Sequence, residues 1–230
     1  MNIIILIMFL VLMLLIIAKI YDINIKKLKQ LAEYEETKFN KIVDNYPSNM
    51  EICKKILSKL KNESVTIEEN KESKTCLYIA LTNKIIIADV KNSYTRIQTI
   101  AHECLHSVQD RKILLFNFIF SNIYIIYFIV SIILALINKI QDKMLFLTIM
   151  IILGYIYYFV RSYLENDAMI KAKYVAEEYM KEAKISSEEE IENIVNSYNK
   201  LNNIGIKTVN FQLMMETTIK TIILAIVLLI

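Results

Sequence analysis

The 230-residue chain has very little of what tight turns require, with only two glycines and one proline. β-Sandwiches and β-barrels need many such turns, so this scarcity excludes them, together with collagen-like and flexible-linker proteins. The three cysteines have no repeating spacing, which excludes a disulfide framework. The net charge is only +3, and no basic stripe with interleaved aromatic residues occurs. We therefore expect no nucleic-acid partner.

Apolar residues, by contrast, are in excess: 55% of the chain is hydrophobic. The long apolar runs are Asn2–Ala18, Leu114–Ile137 and Met144–Val160. Because about 20 apolar residues span a bilayer, the first run predicts an N-terminal anchor at 1–20, and the other two predict a transmembrane hairpin at 114–160. A shorter apolar end, 216–230, predicts a further membrane segment that carries Glu216 and Lys220 as an i,i+4 pair. The sequence therefore predicts a mainly α-helical membrane protein with three or four transmembrane helices.

Two polar blocks, residues 21–113 and 161–215, lie between the membrane segments. Lysines and arginines flank the membrane segments on the side of these blocks, whereas the hairpin loop holds only Lys139 and Lys143. The positive-inside rule therefore predicts that both blocks lie at the cytoplasmic face of the cell membrane. Since a hairpin crosses the bilayer twice, the two blocks share one face whichever way the chain inserts.

Local signals predict helices and a small sheet in the first block and helices alone in the second. The elements expected in the first block are a helix over 23–44, a helix from the capping box Ser48–Glu51 to about Leu60, strands over 64–67, 76–80 and 84–90, and a helix capped by Asn92 or Ser93 that runs through residue 110. Those expected in the second block are a helix over about 162–183 and a helix from the capping box Ser187–Glu190 that ends near Gly205.

One pentapeptide in the first block carries recognisable chemistry. His102 and His106 are the only histidines, and with Glu103 they fit the pattern His-Glu-x-x-His on a predicted helix. Residues at i and i+4 lie on one helical face, so both imidazoles can reach the same ion. Glu103 is then placed to take a proton from a metal-bound water without being a ligand itself. The pattern predicts a zinc site.

A catalytic zinc needs a third protein ligand, and the sequence offers carboxylates and cysteines. Cys104 is two residues from His102, about 200° around the helix, which predicts a small core residue. Glu165 is the best candidate, because it follows the hairpin by about the distance at which His106 precedes it, roughly 7.5 Å against 12 Å along a helix. Glu177 or Glu178 is the competing choice. Asp167 is either a side chain supporting a ligand or a charge at a helix start.

The order of these features resembles the YugP-like neutral zinc metallopeptidases, a family of bacterial membrane zincins. Two stretches carry the resemblance, His102–Gln109 and Leu164–Ala172. The resemblance implies a zincin-like α+β catalytic part in which zinc is bound by His102, His106 and Glu165, with Glu103 as the base. The chain departs from the family at Leu105, where glycine is usual, and at 80–84, which replaces an Asp-Pro-Arg motif. The HtpX-like peptidases are a looser match, because Met169 stands where they have aspartate.

The function expected from this site is hydrolysis of a peptide or protein substrate by a membrane-embedded zinc metallopeptidase. Tyr163, Tyr174 and Arg161 are candidate donors to the oxyanion, since no spare histidine exists. The segment 84–90 is the strand expected to pair with extended substrate. Two alternatives are an intramembrane protease and a non-catalytic, zincin-like membrane scaffold.

Overall fold

The computed structural model describes residues 2–22, 25–70, 72–73, 75–88 and 93–230. In chain order the elements are α1 (Asn2–Ile20), α2 (Ile25–Val43), α3 (Asn49–Lys59), β1 (Thr66–Asn70), β2 (Leu77–Ile79), β3 (Lys84–Ala88), α4 (Arg96–His106), α5 (Arg111–Leu136), α6 (Lys143–Ala183) and α7 (Glu188–Val227). Within this described part, α1, α5, α6 and α7 are long and apolar enough to cross a membrane. The mainly helical character, the small sheet and the presence of helices long and apolar enough to span a membrane are thus as predicted.

Two helices are longer than the sequence predicted. The third apolar run and the helix expected after it form the single helix α6, because no glycine or proline follows Gly154 within it. Likewise α7 continues through Gly205, which was expected to end it, and reaches Val227. Gly205 has no positive φ and serves instead as a packing position. A Cβ there would lie 3.1 Å from the terminal methyl group of Met169 on α6.

Another helix is shorter than predicted. The helix expected to run through residue 110 ends at His106, and residues 107–110 form a turn before α5. Thr95 is its N-cap, although its side chain makes no capping hydrogen bond. The proposed cap Asn92, and the end of the third predicted strand at 89–90, lie outside the described residues. The two predicted capping boxes are confirmed, at Ser48 with Glu51 and at Ser187 with Glu190.

The chain divides into two compact units. The apolar unit comprises Met1–Ile23, Leu115–Tyr163 and Lys207–Ile230, and the polar unit comprises Asn24–Leu114 and Leu164–Ile206. Each unit has a hydrophobic core of its own. Helices α6 and α7 each contribute to both units, so each unit is built from segments distant in sequence.

The apolar unit is packed around Tyr124, Leu147, Met150 and Leu224, all fully buried. Glu216 and Lys220 form the predicted i,i+4 ion pair on α7. The Lys220 ammonium also lies 5.3 Å from the centre of the Tyr124 ring, a distance at which the ring quadrupole attracts a cation. The lysine charge is therefore compensated from two sides within an apolar environment.

The polar unit contains a three-stranded sheet with the order β1-β3-β2. β3 pairs in parallel with β1 and antiparallel with β2. The expectation that 84–90 offers a free edge to substrate is therefore wrong for its described part, because both edges of β3 are already paired. Ile85 and Ile87 are almost fully buried, which explains the apolar run in β3. The free edges belong to β1 and β2.

Candidate metal centre

Helix α4 carries the paired histidines and is held by its apolar face. Ile97, Ala101 and Cys104 are fully buried in the core of the polar unit, and Ile100 is almost so. Burial of this face fixes the rotation of the helix about its axis, since turning it would expose those side chains. His102 and His106 consequently share the remaining face, next to helix α6.

Three side chains converge beside α4. The Nε2 atoms of His102 and His106 are 3.0 Å apart. Glu165 on α6 places its Oε2 atom 3.4 Å from Nε2 of His102 and 3.7 Å from Nε2 of His106. The two imidazoles and the carboxylate are largely buried, with side-chain exposures of 20%, 11% and 14%. Among the described residues these three form the group of ligand atoms able to share one metal ion.

The spacing of these atoms suits a tetrahedral ion. Two ligands about 2.05 Å from a tetrahedral ion lie about 3.3 Å apart, and the three separations here are 3.0, 3.4 and 3.7 Å. Two imidazoles and one carboxylate are also a ligand set that catalytic zinc uses, with its fourth position left to water. The residues therefore fit zinc in both number and kind.

The electrostatics of the group favour a positive charge at its centre. Burial acts to lower the pKa of His106, because it disfavours the imidazolium. The hydrogen bond and negative charge of Glu165, helped by Gln109 and Glu103, outweigh burial and raise that pKa above its usual value. A site that stabilises a proton between these ligands also stabilises a metal cation there, and the two compete.

The Glu103 carboxylate is held by a hydrogen bond from the sheet. It is 8% exposed, and its Oε2 atom accepts a 2.7 Å hydrogen bond from the backbone N–H of Tyr78 in β2. The edge strand thereby fixes this carboxylate, whose charge acts on His106. This backbone contact carries no sequence signature, so the motif alone did not predict it.

Gln109, in the turn after α4, joins the site to α6. Its Oε1 atom lies 2.8 Å from Nδ1 of His106. Its Nε2 atom donates to the backbone carbonyl of Leu164 at 2.8 Å and to Oδ2 of Asp167 at 3.1 Å. The sequence analysis assigns Gln109 no role at the site, although Gln109 ends the stretch His102–Gln109 that carries the family resemblance.

Asp167 reaches the site indirectly. It is bonded to Gln109 and forms an ion pair with Lys171 at 2.5 Å. It also lies well inside α6 rather than at a helix start, because α6 begins at Lys143. The contact of Asp167 with His106 therefore passes through Gln109.

Other candidate residues lie elsewhere. Glu177 pairs with Lys181, and Glu178 pairs with Lys59. Tyr174 is nine residues after Glu165, roughly 13.5 Å along α6 and on its opposite side. Arg161 and Tyr163 belong to the apolar unit, and their role as oxyanion donors stays a prediction.

The three cysteines are free, buried thiols in the polar unit, as their lack of partner motifs indicated. The Sγ atoms of Cys53 and Cys104 are 3.6 Å apart in the core behind the histidine face. Burial raises the pKa of Cys76 to about 11. These thiols therefore behave as small apolar residues rather than as ligands.

Comparison with known proteins adds no relative: no family model, no curated protein and no solved structure matches this chain.

Proposed function

We propose that this chain is a membrane-anchored zinc metallopeptidase of the YugP-like type, with a zincin-like catalytic part. The observation that carries the proposal is the convergence of His102, His106 and Glu165 on one point, 3.0–3.7 Å apart, with Glu103 held beside them. A structural zinc site has four protein ligands and needs no additional carboxylate, whereas a catalytic site has three and an open position. The presence of Glu103 therefore favours catalysis over a scaffold role.

The residues divide the reaction among them. His102, His106 and Glu165 would hold the ion. When bound, zinc would lower the pKa of a water molecule in its open position and polarise the scissile carbonyl. Glu103 would accept a proton from the attacking water and return it to the amine nitrogen as the C–N bond breaks. One water is thereby consumed for each peptide bond, and Glu103 ends in its starting state.

The position of Glu103 suits this shuttle. The Tyr78 N–H holds one carboxylate oxygen at 2.7 Å, which leaves the second oxygen to accept and return the proton. Its low exposure keeps bulk water from competing for that proton.

Four helices that could cross a membrane support a location at the cell membrane. The distribution of lysine and arginine around the predicted spans supports a cytoplasmic position for the polar unit. We therefore propose that the peptidase acts on peptides or proteins at the cytoplasmic face. Polar residues close to the end of the site helix, Gln109, Asp110 and Arg111, favour a site at the membrane surface. Hydrolysis outside the bilayer is therefore favoured over intramembrane proteolysis.

The central experiment compares the full-length wild type with Glu103→Gln, both purified in detergent and loaded with zinc. The amide oxygen of the variant can still accept the Tyr78 N–H, so we expect retained fold and zinc content but loss of general-base catalysis. The readouts are bound zinc and cleavage of dye-quenched peptides and labelled casein. In cells, the protein termini present in each strain are compared. Identical termini in the two strains would contradict the peptidase proposal.

A second comparison tests the third ligand. Glu165→Ala should lower zinc content strongly, because only two imidazoles remain to hold the ion. Glu178→Ala is the matched control, since Glu178 lies on the same helix but pairs with Lys59 at the surface. Equal zinc content in wild type and Glu165→Ala would contradict the proposal that Glu165 is the third metal ligand.

A further inference from the structure

We propose that Gln109 is a positioning residue that sets the proton location on His106 and ties the third ligand to the first two. The inference rests on the proposed metal centre and extends it to a side chain outside the ligand set. Gln109 contacts no reacting atom, so its effect is exerted through His106 and α6. Two independent features of its hydrogen bonding support this role.

The first feature is the orientation of the Gln109 amide. Its nitrogen lies 2.8 Å from the Leu164 backbone carbonyl, which can only accept a hydrogen bond. The amide nitrogen must therefore face α6, which directs the amide oxygen to Nδ1 of His106, 2.8 Å away. Because this oxygen can only accept, Nδ1 carries the proton in the neutral ring. The Nε2 atom of His106 is then left with a free lone pair directed toward His102 and Glu165.

The second feature is the bond to α6 itself. Leu164 directly precedes Glu165, so the hydrogen bond from Gln109 holds the backbone at the third ligand. The same amide nitrogen lies 3.1 Å from Asp167, two residues beyond Glu165. One side chain thus orients an imidazole through its oxygen and secures the helix of the carboxylate ligand through its nitrogen. Loss of such supporting groups typically lowers metal affinity 10–100-fold.

The test compares wild type with three variants substituted at Gln109, all as full-length protein in detergent. Gln109→Leu removes both halves of the contact. Gln109→Glu keeps an acceptor for His106 but turns an oxygen toward Leu164 and Asp167, where a donor is needed. Adding Asp167→Asn to Gln109→Glu restores a donor–acceptor pair with its direction reversed. Zinc affinity, measured by competition with a chromophoric chelator, should fall about 10–100-fold in both single variants. It should recover in part in the double variant, in which the Asp167 contact is restored but the Leu164 carbonyl still lacks a donor.

Gln98→Leu is the matched control for general loosening of the fold. Gln98 is buried, lies on α4 and donates to Asn202 on α7 at 2.9 Å. We expect its zinc affinity to stay within about threefold of wild type. If Gln98→Leu and Gln109→Leu lose affinity equally, or if Gln109→Leu loses none, the positioning role is overturned.

A spectroscopic readout separates this inference from the proposed function. The chain has two histidines, so nitrogen-15 labelling of histidine isolates their ring nitrogens in the magnetic resonance spectrum of metal-free protein. At alkaline pH, where the rings are neutral, we expect a protonated Nδ1 on His106 in wild type and Gln109→Glu, but a mixture of tautomers in Gln109→Leu. His102→Asn assigns the signals. A protonated Nε2 in wild type would overturn the inference even if zinc and peptidase activity are found, whereas absent hydrolysis with the expected tautomer would overturn only the peptidase proposal.

Discussion

Arg96, the first residue of the site helix α4, is the position where a single substitution should cost the polar unit most. It is 1% exposed, and its guanidinium makes four hydrogen bonds to the segment between α2 and α3. Nη2 donates to the carbonyls of Val43 and Tyr46, and Nη1 donates to the Pro47 carbonyl and the Asn49 side chain, all at 2.8–2.9 Å. Burial lowers the pKa of Arg96, which reflects the cost of keeping this charge out of water.

The magnitude for Arg96→Met follows from these contacts. Methionine fills similar space but donates no hydrogen bond, so buried carbonyls lose their partner. Hydrogen bonds from a charged donor are worth about 1.5 kcal/mol each at the lower end, or about 6 kcal/mol for four. Removing a buried charge offsets part of that, and we expect a net loss of about 3–5 kcal/mol. For a chain of this length, the melting temperature should fall by about 10 °C.

The buried cysteines supply the assay. Cys53, Cys76 and Cys104 all lie in the polar unit and are shielded from solvent. A fluorogenic maleimide therefore reports the unfolding of that unit as a detergent-solubilised sample is heated. Arg111→Met is the matched control, because Arg111 is exposed at the start of α5, where substitutions usually change stability by less than about 0.5 kcal/mol.

A melting temperature for Arg96→Met within about 2 °C of wild type would refute this reasoning. It would mean that water or neighbouring groups satisfy the four acceptors as well as the guanidinium does. A fall of equal size in Arg111→Met would likewise contradict it, because the effect would then not depend on burial.

Other predictions follow from single contacts. Because the pKa of His106 is raised, protons should begin to displace zinc at a pH above the one at which histidine usually titrates. Chelator competition measured across pH should show a zinc affinity that is constant at high pH and falls by up to about tenfold per pH unit as the pH decreases. Glu216→Gln leaves Lys220 without its ion-pair partner and should destabilise the apolar unit by only about 0.5 kcal/mol, seen as slightly earlier aggregation on heating in detergent. Ser48→Ala removes the N-cap of α3 and should destabilise the polar unit by about 1 kcal/mol. The measurement is the melting temperature obtained from maleimide labelling of the buried cysteines.

The larger elements were predictable because their signals are local. A membrane span is a run of apolar residues, so α1 and the spans in α5 and α6 could be read directly. Capping boxes are equally local, and both formed where Ser48 and Ser187 predicted them. Helix ends without such signals were predicted poorly. Gly205 predicts a helix end, yet α7 continues through it, and the missing side chain leaves room for the Met169 methyl group.

The strand order was not predictable from the residues, because it depends on pairing between distant segments. The apolar run of β3 is compatible with either an edge or a central strand, and only the observed order β1-β3-β2 places it in the centre. The same applies to Arg96. Nothing in its sequence context marks it as buried, since its partners lie about fifty residues earlier.

For the site, the i,i+4 spacing of His102 and His106 is enough to predict that both lie on one helical face, because helix geometry is a property of the local backbone. The number of residues between each candidate ligand and the nearest apolar run also predicts Glu165 as the third ligand. Three contacts become visible only in the folded chain: the Glu165 carboxylate lies beside both imidazoles, the Tyr78 N–H binds Glu103, and Gln109 links α4 to α6. Those contacts depend on side-chain directions between residues up to 63 positions apart, which no periodicity along the chain encodes.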